Sequence, residues 1–264
     1  MATINENLDV LEVLKDDIKE AIVRKGVVID DSTPFTDYAT KIDEISSGGD
    51  YPEISVIRHG MKLGYSNFET PDYLVFADDV TDFSFMFYSC GGLRSLPDIN
   101  TSNATNMTAM FYTCGNLENA PNMDTSNVTS MNSMFNSCSN LISIPEINTS
   151  NVTDMGNMFT NCTNLTTIPE LDCSSLESIP NDMFYGCIYL TNVGGFTNLR
   201  YSIDLGNCMV LSQQSLNNII SKLIPVEETR TIRFYTNLEG RFSEEMIASA
   251  TEKNWIISFS EFAG

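Results

Sequence analysis

The sequence predicts an α/β solenoid of about five 24-residue coils, preceded by an N-terminal helical segment and closed by an α+β cap. Three observations predict it. A word recurs as MFYSCGGLRSLP, MFYTCGNLENAP, MFNSCSNLISIP, MFTNCTNLTTIP and, more loosely, MFYGCIYLTNVG. Its cysteines, Cys90, Cys114, Cys138, Cys162 and Cys187, stand 24, 24, 24 and 25 residues apart. Phe87, Phe111, Phe135, Phe159 and Phe184 keep the same interval, as do Leu93, Leu117, Leu141, Leu165 and Leu190. A fixed period of this length marks a repeat array in which each unit covers its apolar face only with its neighbours.

Residues 1–50 read as a separate helical unit. Leu8, Leu11, Leu14, Ile18 and Ile22 recur at intervals of three and four, one apolar stripe on a helix from about Asn5 to Lys25. Ser32-Thr33-Pro34 offers a cap and a first-turn proline to a second helix carrying Phe35, Tyr38, Ile42 and Ile45. Two helices this short bury too little alone. The stripe therefore packs on a second copy, on another protein, or as a hairpin on its own chain. Ser46-Ser47-Gly48-Gly49-Asp50 reads as a linker. Residues 51–78 hold short alternating runs, read as two to four strands over the first coil's open edge.

Residues 79–193 are the repeats. Met131, Met134, Phe135 and Cys138 are spaced as one helix face, which predicts a turn or two of helix in each coil. Leu141-Ile142-Ser143-Ile144 follows as a short strand stopped by Pro145. Thr125-Ser126-Asn127 and Thr149-Ser150-Asn151 read as corners held by side-chain-to-backbone hydrogen bonds. The cysteines read as small buried hydrophobes, because thiols side by side along a stack suit neither a disulfide nor a convergent zinc site.

Residues 194–264 lose the period. Cys208-Met209-Val210-Leu211 resembles one worn coil. SLNNIISKL has helical spacing, RTIRFY alternates as a strand, SEEMIASATEKN opens on a capping serine, and WIISF closes the chain as a strand. An array needs such an atypical end to shield its last apolar coil.

Composition narrows the role. The formal net charge is -21, and between Asp79 and Val193 eleven acids face one base, Arg94. Phosphate recognition needs clustered Lys and Arg, so nucleic acid is excluded as a partner of this segment, and an anionic membrane surface would repel it. No stretch is long and apolar enough to predict membrane insertion. The opening MATINENLDVLEVL lacks the basic and apolar regions of a secretory signal. The one histidine, His59, lies in a Gly-flanked turn, and no nucleophile–base arrangement, nucleotide loop or outstanding carboxylate pair is visible. No catalytic residue, cofactor or metal is therefore assigned. Asp124 and Asp172 at the corners alternate with Asn100 and Asn148, which favours hydrogen-bonded corners over calcium.

The MFxxCxxLxxIP-x-I-x-TSNVT pattern of residues 79–193 resembles the BspA-type branch of leucine-rich repeats, in its bacterial surface-protein variant. SLNNIISKL and ATEKNWIIS resemble the cap that follows such repeats in many phage and prophage proteins. NENLDVLEVLKDDIKEAIVRKGVVIDD with PFTDYATKIDEI resembles the attachment segment opening many phage tail and fibre proteins. The resemblance implies a leucine-rich-repeat-like array in a non-enzymatic virion protein: a fibre, decoration or receptor-binding component. Its N-terminal segment would join other virion proteins and its repeats would meet a protein or glycan at the host surface. Absence of a signal fits a protein assembled into particles inside the cell. A bacterial surface adhesin or a scaffold with the same repeats is the alternative, and a glycan-active enzyme the weakest one.

In such repeats the concave sheet commonly binds. The exposed positions there are Arg94, Ser95, Glu118, Asn119, Ile142, Ser143, Thr166 and Thr167, which differ between copies while their neighbours do not. Such variation marks either a ligand face or a solvated one. The N-terminal stripe predicts a homo-oligomer. Deleting residues 1–46 is expected to leave a folded monomer by light scattering; a full-length chain that is already monomeric would assign the stripe to internal packing or to a different protein.

Overall fold

The computed structural model describes residues 54–57, 73–76, 80–178 and 182–261. The chain divides into two compact units, Met1–Val56 with Pro71–Tyr73 and Ile57–Thr70 with Leu74–Gly264. The helices expected over 5–45, the stripe Leu8, Leu11, Leu14, Ile18 and Ile22, the 46–50 linker and His59 lie outside the described residues. Region 51–78 contributes two strands among its described residues, β1 (Ile54–Ile57) and β2 (Tyr73–Phe76). The repeats and everything after them belong to the second unit.

Like side chains of successive coils lie one over another. Phe87, Phe111, Phe135, Phe159 and Phe184 form a column of parallel rings, with centroids 5.2, 5.5, 5.9 and 5.8 Å apart and planes within 14° of each other. All five are fully buried, together with Cys90, Cys114, Cys138, Cys162 and Cys187 and with Leu93, Leu117, Leu141, Leu165 and Leu190. At one end of the second unit Phe83 meets Phe76 of β2 at 4.8 Å. At the other, the tilted pair Phe184–Phe196 at 52° ends the parallel column.

The helix expected from Met131, Met134, Phe135 and Cys138 does not form. These four residues are buried, but their backbone runs as successive turns. In the second coil the N–H groups of Ala109, Phe111 and Thr113 donate to Asn132, Met134 and Asn136 of the next coil at 2.8, 2.9 and 2.7 Å. The intervening N–H groups of Met110, Tyr112 and Cys114 turn back three residues, to Met107, Ala109 and Phe111. An α-helix would consume every N–H internally and leave the facing carbonyls of the next coil unpaired in a dry interior. Alternation satisfies both, and it needs a left-handed residue every fourth position: Ala109, Thr113, Ser133, Ser137, Asn157 and Asn161 all have φ between 52° and 62°. Each costs about 1–2 kcal/mol outside glycine, a cost offset by the inter-coil bonds it permits.

The expected strand over 141–144 is shorter than its sequence implied. Asn119, Ser143 and Thr167 form single parallel bridges, Asn119 to Ser143 and Ser143 to Thr167. Only later do two-residue strands appear: β3 (Thr167–Ile168) pairs in parallel with β5 (Asn192–Val193), and β4 (Leu171–Asp172) with β6 (Phe196–Thr197). Gly194 stands where the preceding coil has Pro169, and a Cβ there would come within 2.4 Å of Glu170 N. Only glycine permits that backbone approach.

The corners are held as their sequence indicates. The buried hydroxyls of Thr101, Thr125 and Thr149 each donate to a carbonyl of the next coil, Asp124, Asn148 and Asp172, at 2.9 Å. Asn100, Asp124, Asn148 and Asp172 each accept from the N–H two residues on. Asn127 and Asn151 donate to Ser102 and Ser126 of the previous coil at 2.9 and 2.7 Å. Hydrogen bonds donated by the Ser126 hydroxyl and N–H hold the Asp124 carboxyl below the usual range. For Asp172 partial burial acts upward, but bonds from Asn198 and Ser174 outweigh it and lower the group.

After the repeats, β7 (Ile203–Leu205), β8 (Arg230–Tyr235) and β9 (Trp255–Ser260) form a parallel sheet in the order β7-β8-β9. Between β7 and β8 lies α1 (Gln213–Ser221), and between β8 and β9 a 3₁₀ segment (Thr236–Arg241) and α2 (Glu244–Glu252). Ser212 and Ser243 cap the two helices by accepting from Ser215 N and Met246 N. Leu216, Ile219, Ile220 and Leu223 form the buried face of the first helical stretch. The exposed edge of residues 191–194 is met by this helix through side chains. Ser215 Oγ donates to Thr191 O and accepts from Val193 N, both at 2.9 Å, and Lys222 Nζ donates to Gly194 O at 2.7 Å. A sheet edge that would otherwise pair with another chain is closed in this way.

The Phe column sets the stability. Phe135→Ala leaves a void flanked by rings on both sides and is expected to lower stability by about 3–5 kcal/mol, measured by denaturant unfolding. Tyr112→Ala, in the half-exposed Tyr88–Tyr112 stack at 5.0 Å, is expected to cost about 1 kcal/mol.

Candidate functional site

The residues following the buried Leu column form two ladders. Glu118 N donates to Arg94 O, Ile142 N to Glu118 O, Thr166 N to Ile142 O, and Thr191 N to Thr166 O, at 2.9–3.0 Å. Their side chains make one column across the coils. Ser95, Asn119, Ser143 and Thr167 occupy the neighbouring positions. Leu93, Leu117, Leu141 and Leu165 point inward before this pair of positions, and Ile144 and Ile168 are buried after it, so both intervening side chains lean outward.

The structure brings part of the expected face together. Glu118, Ile142 and Thr166 line an open groove of about 610 Å³, with Asn140, Asn164, Tyr189, Thr191 and Val210. Arg94 sits beyond one end and pairs with Glu118 at 3.6 Å, both side chains well exposed. Ser95, Asn119, Ser143 and Thr167 do not line the groove; Ser143, Thr166 and Thr167 are half-buried rather than exposed. Sequence reasoning missed Asn140, Asn164, Tyr189, Thr191 and Val210. Tyr189 precedes Leu190 as Asn140 and Asn164 precede Leu141 and Leu165 and as Val210 precedes Leu211, a correspondence carried by the C-x-x-L spacing that these copies share.

Ile142, Tyr189 and Val210 are 46%, 55% and 44% exposed, among the few large apolar side chains in water. Clustering of such residues on a soluble surface marks interaction. Between them lies a polar row. Asn164 Nδ2 approaches Asn140 Oδ1, and Asn140 Nδ2 approaches Asn116 Oδ1, both at a long 3.5 Å. Thr166 Oγ1 donates to Ile142 O and Thr191 Oγ1 to Tyr189 O, each at 3.1 Å.

The thiols do more than fill space. Cys114, Cys138, Cys162 and Cys187 donate to the carbonyls of Phe87, Phe111, Phe135 and Phe159 of the previous coil, at 3.0–3.1 Å. Burial pushes Cys114, Cys162 and Cys173 up to about 12, and Cys138, Cys187 and Cys208 well above the ordinary thiol value. They are protonated and sealed, which is the opposite of a nucleophile's setting. Among the described residues no group of three or more His, Cys, Asp or Glu is placed to hold a metal. No helix among them is long and apolar enough to cross a membrane.

The raised thiols link folding to pH. The folded state keeps these protons while unfolded thiols lose theirs near 9, so the stabilisation is complete below about 9 and is lost as pH rises toward 12. Thermal melts are expected to fall across that window, and native protein is expected to resist iodoacetamide that labels all seven cysteines after denaturation.

Residues 81–193 match a family model described as Mycoplasma protein of unknown function, DUF285. No curated protein matches the chain. Among solved structures, a leucine rich repeat protein of T. pallidum is similar, with a TM-score of 0.50 and 14% sequence identity over 80% of this chain and 96% of that one. The chain thus has a leucine-rich-repeat fold, and its repeats are similar to the DUF285 family.

Proposed function

We propose that this protein is a non-enzymatic binding protein that presents the groove between Glu118 and Val210 to a partner at a cell surface. The observation that carries this reading is the convergence of Ile142, Tyr189 and Val210, exposed and apolar, in one polar-rimmed groove. A repeat array has little other use for large apolar side chains held in water. The thiols are sealed, and the described residues hold no cluster of metal ligands; neither supplies a chemical centre.

The finer reading is a phage virion component, a fibre, decoration or receptor-binding protein. It rests on the resemblance of the N-terminal and C-terminal segments to phage tail and fibre proteins. The N-terminal stripe would then attach the chain to other virion proteins or to further copies of itself, and the groove would face the host. The same groove would serve a bacterial surface adhesin or a scaffold; fixed copy number in purified particles, read by mass spectrometry, distinguishes the virion component from these.

Ile142→Arg places a charge at the groove mouth without disturbing the core. It is expected to weaken adsorption to host cells about tenfold, the size of a hot-spot residue's contribution, with an unchanged melting curve. Reversing both charges of the Arg94–Glu118 pair is expected to reduce adsorption less. Unchanged adsorption by the Ile142 variant would move the binding surface elsewhere.

A further inference from the structure

We infer that the groove takes a neutral linear glycan, one sugar against each coil; this deepens, and rests on, the reading of the groove as the binding surface. Charge supports it first. Glu118 is the one acid lining the groove, and it is already paired with Arg94. The site therefore offers little to a charged ligand, and a chain of formal net charge -21 repels anionic polysaccharides from a distance.

The remaining lining divides into two chemistries. Asn140, Asn164, Thr166 and Thr191 supply carboxamides and hydroxyls, groups that both donate and accept. Such groups match sugar hydroxyls, which also do both. The long ladder contact of each carboxamide takes one donor and leaves further donors and lone pairs for a ligand. Tyr189 supplies apolar surface for the C–H face of a pyranose ring, with Ile142 and Val210 as further apolar members of the lining.

Spacing supplies an independent argument. The hydrogen-bonded ladder along the groove holds successive coils about 4.8 Å apart, close to the length of one hexose in an extended chain. Asn140 and Asn164 repeat at that step, as do Ile142, Thr166 and Thr191. A polymer of identical units in register with the coils would meet a carboxamide at two successive coils, Asn140 and Asn164, and a hydroxyl at two, Thr166 and Thr191.

The test titrates the full chain with tetramers of cellulose, chitin, amylose and β-1,3-glucan by calorimetry, alongside adsorption to host cells before and after periodate oxidation of surface diols. Binding of at least one tetramer is expected. Tyr189→Ala should weaken it about tenfold, Tyr189→Phe should retain it, and Asn164→Ala should weaken it, all with unchanged melting. Where the bound tetramer is that of cellulose or amylose, adsorption should fall on periodate treatment, which cleaves their 2,3-diols; where it is that of chitin or β-1,3-glucan, which lack internal vicinal diols, the free tetramer should instead compete adsorption away. Failure of every tetramer, with adsorption that survives periodate yet is lost in Tyr189→Ala, would overturn the glycan while leaving the groove as the binding surface. Adsorption untouched by Tyr189→Ala would overturn both.

Discussion

The structure depends on one constraint: no coil can bury its interior or satisfy its backbone without the next. A column of Phe rings in contact supplies the apolar half of that dependence. The polar half is the set of N–H groups that leave one coil for the carbonyls of its neighbour, at Phe111, Thr113 and their equivalents. Local propensity is subordinate to this exchange. The left-handed backbone at Ser133 and Ser137 has an intrinsic cost, yet recurs because the alternative strands buried polar groups.

The same constraint explains which parts were legible in the sequence. Burial at fixed positions restricts residue type, so Phe, Cys and Leu repeated visibly and their placement in the core could be read directly. The Thr-Ser-Asn corners were legible because few side chains can bond a neighbouring coil and their own backbone together. Backbone conformation was not. Met131, Met134, Phe135 and Cys138 fall at helical intervals because a series of turns repeating every four residues also returns to the inward face every three to four. Asn157 and Asn161 alone among these positions carried a signal, since asparagine tolerates left-handed angles; Ala109, Thr113, Ser133 and Ser137 adopt them without advertising it.

The groove was half legible. Variation between copies at Glu118, Ile142 and Thr166 marked an outward column, since buried columns do not vary. Its far end was overlooked, because the expected face took only positions after each repeat leucine in the first four copies, whereas Tyr189 and Val210 stand before Leu190 and Leu211 and Thr191 belongs to the fifth copy. The neighbouring Ser95, Asn119, Ser143 and Thr167 share the outward lean without sharing the groove, a distinction set by geometry across coils and absent from the residue types. The groove is also separate from what stabilises the fold. Its side chains stand on backbone that the ladders already hold, so its chemistry can change while the interior stays fixed.

The closure of the array by α1 has a consequence for how such chains change over time. Ser215 and Lys222 grip main-chain atoms of residues 191–194, reaching one coil further back only through the Lys222–Glu170 ion pair, and earlier coils present nearly interchangeable surfaces to one another. Duplication or loss of a whole unit upstream would lengthen or shorten the ribbon without requiring a new terminus. Length, and with it reach, is thus the property most freely open to selection.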